Sequence, residues 1–142
     1  VIADTIGAAH PMQVRSLMQQ LTLLAPAERY ACHFHDTRAM GLANVYAAVE
    51  ADIRHFDASI AGLGGCPFAP GASGNVATED VVFMCEQMGF DTGIDMAHLI
   101  EASEFAQQIA PSAKGGNAYG YIKQYLQRTA ESEKAVAQTT ED

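Results

Sequence analysis

The densest group of chemically capable residues is Cys32-His33-Phe34-His35-Asp36. In a strand, side chains two apart share a face, so His33 and His35 project together while Cys32 and Phe34 point to the other side. Two imidazoles on one face near a strand's C-terminal end suit a divalent metal. Packed or solvent-facing histidines would show the same spacing, and the pattern alone leaves both readings open. A two-histidine set is incomplete, so oxygen ligands must come from elsewhere. Asn or Asp oxygens would make such a site hard enough for Mg²⁺ or Mn²⁺ rather than a closed structural zinc site. Asn75 offers a carbonyl oxygen of this kind, or a helix cap. Asp4, near the end of the first strand, is placed to face the same cavity and to cap the turn at Thr5 to Gly7, two roles that do not exclude each other. Cys66 lies in Gly62-Leu63-Gly64-Gly65-Cys66-Pro67-Phe68, where a glycine-rich loop keeps a thiol accessible and nearby positive charge would lower its pKa. An incidental surface cysteine is the plain alternative, although irregular loops of this length usually carry function.

Other polar residues have simpler readings. Glu79 and Asp80 are explained as first-turn helix carboxylates, with Thr78 as the N-cap. Arg38 is placed to meet an anionic substrate or to sit solvated in its loop, and Asp57 and Ser59 share one strand face that lines an interior. Cys85 and Cys32 read as packing residues, and His10, His55 and His98 as structural or surface groups.

The elements that must position these groups follow from periodicity. Val1 to Gly7, Tyr30 to Asp36 and Ile53 to Ile60 read as strands, the last alternating Phe56, Ala58 and Ile60 against His55, Asp57 and Ser59. Between them, Val14, Leu17, Met18, Leu21 and Leu24 recur at helical spacing after Pro11, and Gly41 to Ala51 carries Leu42, Val45, Tyr46 and Val49 on one face. Strand, helix, strand, helix, strand is the rhythm of parallel βα units. A glycine-rich loop spans Ala61 to Asn75, and a helix runs from Thr78 to about Met88. Asp95 caps another to about Ala110, with Leu99, Ala102, Phe105, Ala106 and Ile109 expected in the core. Tyr121 to Arg128 is expected to form a short helix before a polar, frayed end. Three βα units are too few for a complete (β/α)₈ barrel, which takes about 250 residues, so only its last portion would fit. An open doubly wound sheet stays possible on periodicity, but no GxGxxG or GxxxxGK[ST] occurs.

Composition narrows the function. The chain has 142 residues, 8 Lys+Arg against 17 Asp+Glu, and a net charge of −9, which disfavours nucleic-acid binding through phosphate contacts. No apolar run approaches the roughly 18 residues that span a bilayer. Three scattered cysteines form no disulfide framework or CxxC zinc motif, so a reducing, cytoplasmic setting is expected. With no basic leader and no initiator Met at Val1, a processed or truncated chain is expected.

The stretches His33-Phe34-His35-Asp36-Thr37, Gly41-Leu42-Ala43-Asn44, Asp57 to Phe68 and Gly71 to Val82, together with Asp4-Thr5-Ile6-Gly7, closely resemble the 3-hydroxy-3-methylglutaryl-CoA lyase family over roughly residues 1 to 110. The resemblance implies an α/β fold, a TIM (β/α)₈ barrel of which this chain would be the C-terminal portion, its last three βα units plus C-terminal helices, with residues 111–142 a partly disordered extension. It also implies divalent-metal-dependent (Mg²⁺ or Mn²⁺) cleavage of 3-hydroxy-3-methylglutaryl-CoA to acetyl-CoA and acetoacetate, as in leucine degradation. Its metal ligands carry over onto His33, His35 and Asn75, its catalytic cysteine onto Cys66, and an acidic residue near the substrate onto Asp4; His33 and Cys66 would transfer protons. A further ligand, an Asp following an Arg on the first barrel strand, has no counterpart here. The implied partners are an acyl-CoA substrate and, at full length, further copies of the chain, with neither nucleic acid nor membrane. Relatives that cleave citramalyl-CoA, or a non-catalytic piece of the barrel, are the alternatives. Ala39 departs from the glycine usual in the family and is expected to stiffen its turn without touching a ligand.

Overall fold

The computed structural model describes residues 1–64 and 74–139, with side chains described as far as Ser132. Three parallel strands, β1 (Ile2–Asp4), β2 (Ala31–Phe34) and β3 (His55–Asp57), lie in the order β1-β2-β3. Helices α1 (Pro11–Thr22) and α2 (Gly41–Val49) make the two crossovers that parallel neighbours require. They are followed by α3 (Thr78–Gln87), α4 (Met96–Ile109) and α5 (Tyr119–Thr139). This is the α/β alternation expected from the sequence, with strands shorter than the apolar runs that announce them.

Helix starts are set by local chemistry. His10 Nδ1 accepts from the Gln13 N–H at 3.4 Å while the Gln13 side chain accepts from the His10 N–H, and Pro11 fills the first helical position, where no N–H is needed. Asp95 accepts from the His98 N–H at 3.0 Å and opens α4 as expected. At α3, Thr78 is the first helical residue rather than its cap, and Ala77 precedes it without a side-chain bond.

The core lies between the sheet and its helices. Met18, Cys32, Val45 and Ile53 are fully buried, and each such apolar side chain contributes about 1.5–3 kcal/mol. Cys32 Sγ sits 3.9 Å from Met18 Sδ, and burial pushes its thiol up to about 11, so it packs and does not react. The α4 expectation needs correction: Phe105 and Ile109 are exposed, while Leu99, Ile100, Ser103 and Ala106 are buried. The buried stripe is thus rotated along the helix, because α4 packs on the Ile60–Gly62 turn and on α3 and α5 rather than on a strand. Leu17 and Leu24, on the expected face of α1, are likewise exposed.

Candidate metal centre

Strand β2 delivers the two histidines as its alternation demands. Cys32 and Phe34 are buried beneath the helices, while His33 and His35 face the other way with ring centroids 5.2 Å apart. The third donor arrives from 40 positions further along the chain. The Asp36 N–H donates to the Gly74 carbonyl at 3.0 Å, and the Val76 N–H donates to the Phe34 carbonyl at 3.1 Å. These two bonds pair His35 with Asn75 across an antiparallel bridge. The Asn75 Nδ2 donates to the Leu63 carbonyl at 2.8 Å, which orients the amide and leaves Oδ1 as its acceptor.

Two buried atoms in this pair lack a hydrogen-bond partner among the described residues, His35 Nδ1 and Asn75 Oδ1. An unsatisfied buried polar atom costs about 1–3 kcal/mol, so the two on this bridged pair are atoms that a ligand could satisfy. Burial first, and then the neighbouring His33, lower the His35 pKa, with the Asp4 charge opposing them. The neutral imidazole thereby favoured is the metal-binding form. His33 Nδ1 lies 3.6 Å from Asp57 Oδ2, and strand register places the two side by side. The carboxylate on that side of the ring leaves the other nitrogen for a ligand. Among the described residues no three His, Cys, Asp or Glu side chains converge as a metal cage, so the amide oxygen is needed to complete a set of three. Nitrogen, nitrogen and amide oxygen suit a divalent ion that retains open positions.

Asp4 does not contribute a free carboxylate to this group. Its Oδ1 and Oδ2 accept from the Ala8 and Ala9 N–H groups at 2.8 and 2.9 Å, capping the turn that leads to α1. It remains close enough for its charge to act on His35. Arg38 is exposed and reaches the Ala8 carbonyl at 3.5 Å, while Asp36 Oδ1 accepts from the Gly41 N–H at 2.8 Å at the start of α2. Cys66 lies outside the described residues. Beside Asn75 opens a polar cavity of about 220 Å³ lined by Asp36, Gly62, Asp80, Ser112 and Lys114.

Glu79 and Asp80 require the largest revision. They are buried, at 0% and 4% exposure, and both reach beyond their own helix. Both Glu79 carboxylate oxygens accept from the Ala61 N–H, at 2.9 and 3.1 Å, and the Asp80 oxygens accept from Asn117 and Ala118 N–H at 2.8 Å each. Asn44, fully buried, donates to the Ala9 carbonyl at 3.2 Å and ties α2 to the β1–α1 turn. Nothing in their local spacing distinguishes these residues from surface carboxylates or a helical polar residue.

The sequence matches the HMGL-like family over residues 1–106. It is 48% identical over 107 residues to hydroxymethylglutaryl-CoA lyase YngG of Bacillus subtilis, covering 75% of this chain and 36% of that protein. It is 46% identical over 105 residues to (R)-citramalyl-CoA lyase of Chloroflexus aurantiacus, covering 74% of this chain and 33% of the relative. An HMG-CoA lyase from Acinetobacter baumannii, solved in complex with coenzyme A and 3-methylmalate, superposes with a TM-score of 0.69 at 50% identity, covering 74% of this chain and 35% of that one. The chain spans about a third of the length of the curated relatives it matches.

Proposed function

This chain belongs to the HMGL-like family, and from that premise we propose that it is the C-terminal portion of a hydroxymethylglutaryl-CoA lyase, a divalent-metal-dependent enzyme that cleaves 3-hydroxy-3-methylglutaryl-CoA to acetyl-CoA and acetoacetate. In this reading the strands are the last three of a (β/α)₈ barrel, residues 1–110 belong to the barrel, and residues 111–142 form an extension. The outer edges of β1 and β3, unpaired among the described residues, support this, since a barrel closes only when its first and last strands meet.

The observation that carries the reading is the bridged pair of His35 and Asn75, each with an orphaned buried polar atom, with the His33 ring 5.2 Å from that of His35. His33, His35 and Asn75 would hold Mg²⁺ or Mn²⁺, with a carboxylate from outside this chain completing the set. When bound, the ion supplies Lewis acidity that lowers the pKa of the substrate's tertiary hydroxyl. His33, whose Nδ1 lies 3.6 Å from Asp57 Oδ2, would take up the hydroxyl proton on the nitrogen turned away from Asp57, the same position that it offers to the ion, so it serves the two roles in turn. The carbon–carbon bond then breaks, leaving the ketone of acetoacetate and the enolate of acetyl-CoA. Cys66 donates a proton to the enolate carbon, which completes the thioester product. Asp4 orients the β1–α1 turn beside His35 and contributes its charge near the reacting groups.

The similar identities to a hydroxymethylglutaryl-CoA lyase and a citramalyl-CoA lyase give the second reading, in which the same cleavage acts on a citramalyl-CoA. Both are acyl-CoA thioesters, and neither reading involves nucleic acid or membrane; no helix among the described residues is long and apolar enough to cross a bilayer. A cytoplasmic setting agrees with the free thiols of Cys32 and Cys85. We also place the full-length protein in a homo-oligomer. The deciding experiment assays the full-length protein on both acyl-CoA esters, with and without Mg²⁺. Acetoacetate release from the hydroxymethylglutaryl ester that requires the ion supports the first reading; pyruvate release from the citramalyl ester alone selects the second, and neither product refutes both.

A further inference from the structure

Glu79 is the most deeply buried acid among the described residues, which give it no ion pair. Its carboxylate is spent on one target, the Ala61 N–H. Ala61 is itself unusual: it has φ +56° and ψ +19°, the left-handed region that a residue with a Cβ rarely enters, and it is 2% exposed. Its carbonyl accepts from the Lys114 N–H at 3.4 Å, so the residue is held from both sides. Two residues on, the Leu63 carbonyl accepts from Asn75 Nδ2 at 2.8 Å. The chain passes close to itself here: a Cβ on Gly64 would stand 2.7 Å from Asn75 Nδ2, and one on Gly74 would meet the carbonyls of Gly62 and Gly64.

We propose that Glu79 is a positioning residue: by holding Ala61 in its left-handed turn, it fixes the Leu63 carbonyl that orients the Asn75 amide for the metal. The inference rests on the metal-centre reading above. It differs from the ordinary role of a first-turn carboxylate, which acts through charge on its own helix. Reach and charge separate the two roles. Glu79→Gln keeps the length and an acceptor oxygen but removes the charge; Glu79→Asp keeps the charge but is one methylene shorter.

The test uses the intact, isotope-labelled protein. Mn²⁺ affinity is titrated by electron paramagnetic resonance, and nuclear magnetic resonance follows the Asn75 side-chain amide signal and the solvent exchange of the Ala61 amide without metal. The bond from Asn44 to Ala9 serves as an internal control. In Glu79→Asp, Mn²⁺ affinity should fall about tenfold, the Asn75 signal should shift, and Ala61 exchange should accelerate about tenfold or more. In Glu79→Gln all three should stay within about twofold of wild type. The opposite order overturns the proposal, as does an unmoved Asn75 signal in Glu79→Asp. Should Glu79→Asp fail to fold, Glu79→Gln decides alone: retained Mn²⁺ affinity and an unmoved Asn75 signal support positioning by reach, and their loss overturns it. A wild-type protein that binds no Mn²⁺ sinks the metal reading instead, and the Asn75 and Ala61 signals keep that failure distinct from this one.

Discussion

Replacing Asp80 with alanine should release the start of α5. The two oxygens of Asp80 accept from the Asn117 and Ala118 N–H groups at 2.8 Å each, and the side chain is 4% exposed. Hydrogen bonds to a charged group contribute about 1.5–3 kcal/mol each, so losing both should cost about 3 kcal/mol even if water reaches the freed donors. Little else offsets that. The Glu104–Lys123 ion pair is solvent-screened, and the buried Ile122 adds about 2 kcal/mol. Local opening of α5 should therefore become about 10²-fold more frequent, since each factor of ten in an equilibrium is about 1.4 kcal/mol. Amide hydrogen exchange at Asn117, Ala118 and Ile122 in the intact protein measures this directly, with α2 as the unchanged region. If Asp80 acted only as a first-turn carboxylate of α3, the loss would stay under about 1 kcal/mol and be confined to α3. Exchange in α5 within about threefold of wild type would refute the clamp.

Cys66→Ala should lower turnover by about 10²–10⁴ with Mn²⁺ affinity retained, as for loss of a positioned proton donor; an active variant would make the loop cysteine a bystander. His35→Ala should weaken Mn²⁺ binding strongly and Asn75→Ala more mildly, because a neutral amide oxygen is the weaker donor; paramagnetic titration gives both, and unchanged affinity removes either residue from the ligand set. Ala39→Gly should raise stability by about 0.5–1 kcal/mol in a urea melt, because Ala39 has φ +56° and glycine relieves that strain at some entropic cost; a lower midpoint would show the turn to be unstrained.

Much of the placement of the candidate residues was legible in the sequence. The alternation of Cys32, His33, Phe34 and His35 put the histidines on one face and the apolar pair on the other, because a strand's side chains obey a period of two whatever the strand packs against. The βα rhythm and the cap at Asp95 were local in the same sense. Tertiary structure alone decided that Asn75 lies beside His35, that Glu79 binds Ala61 eighteen residues back, and that Asp80 binds Asn117 thirty-seven residues ahead. It also turned the buried face of α4 away from Phe105 and Ile109. An acid at a helix start looks the same in sequence whether it meets water or a distant backbone N–H. Which partner it finds depends on how separate segments pack, and local periodicity does not encode that.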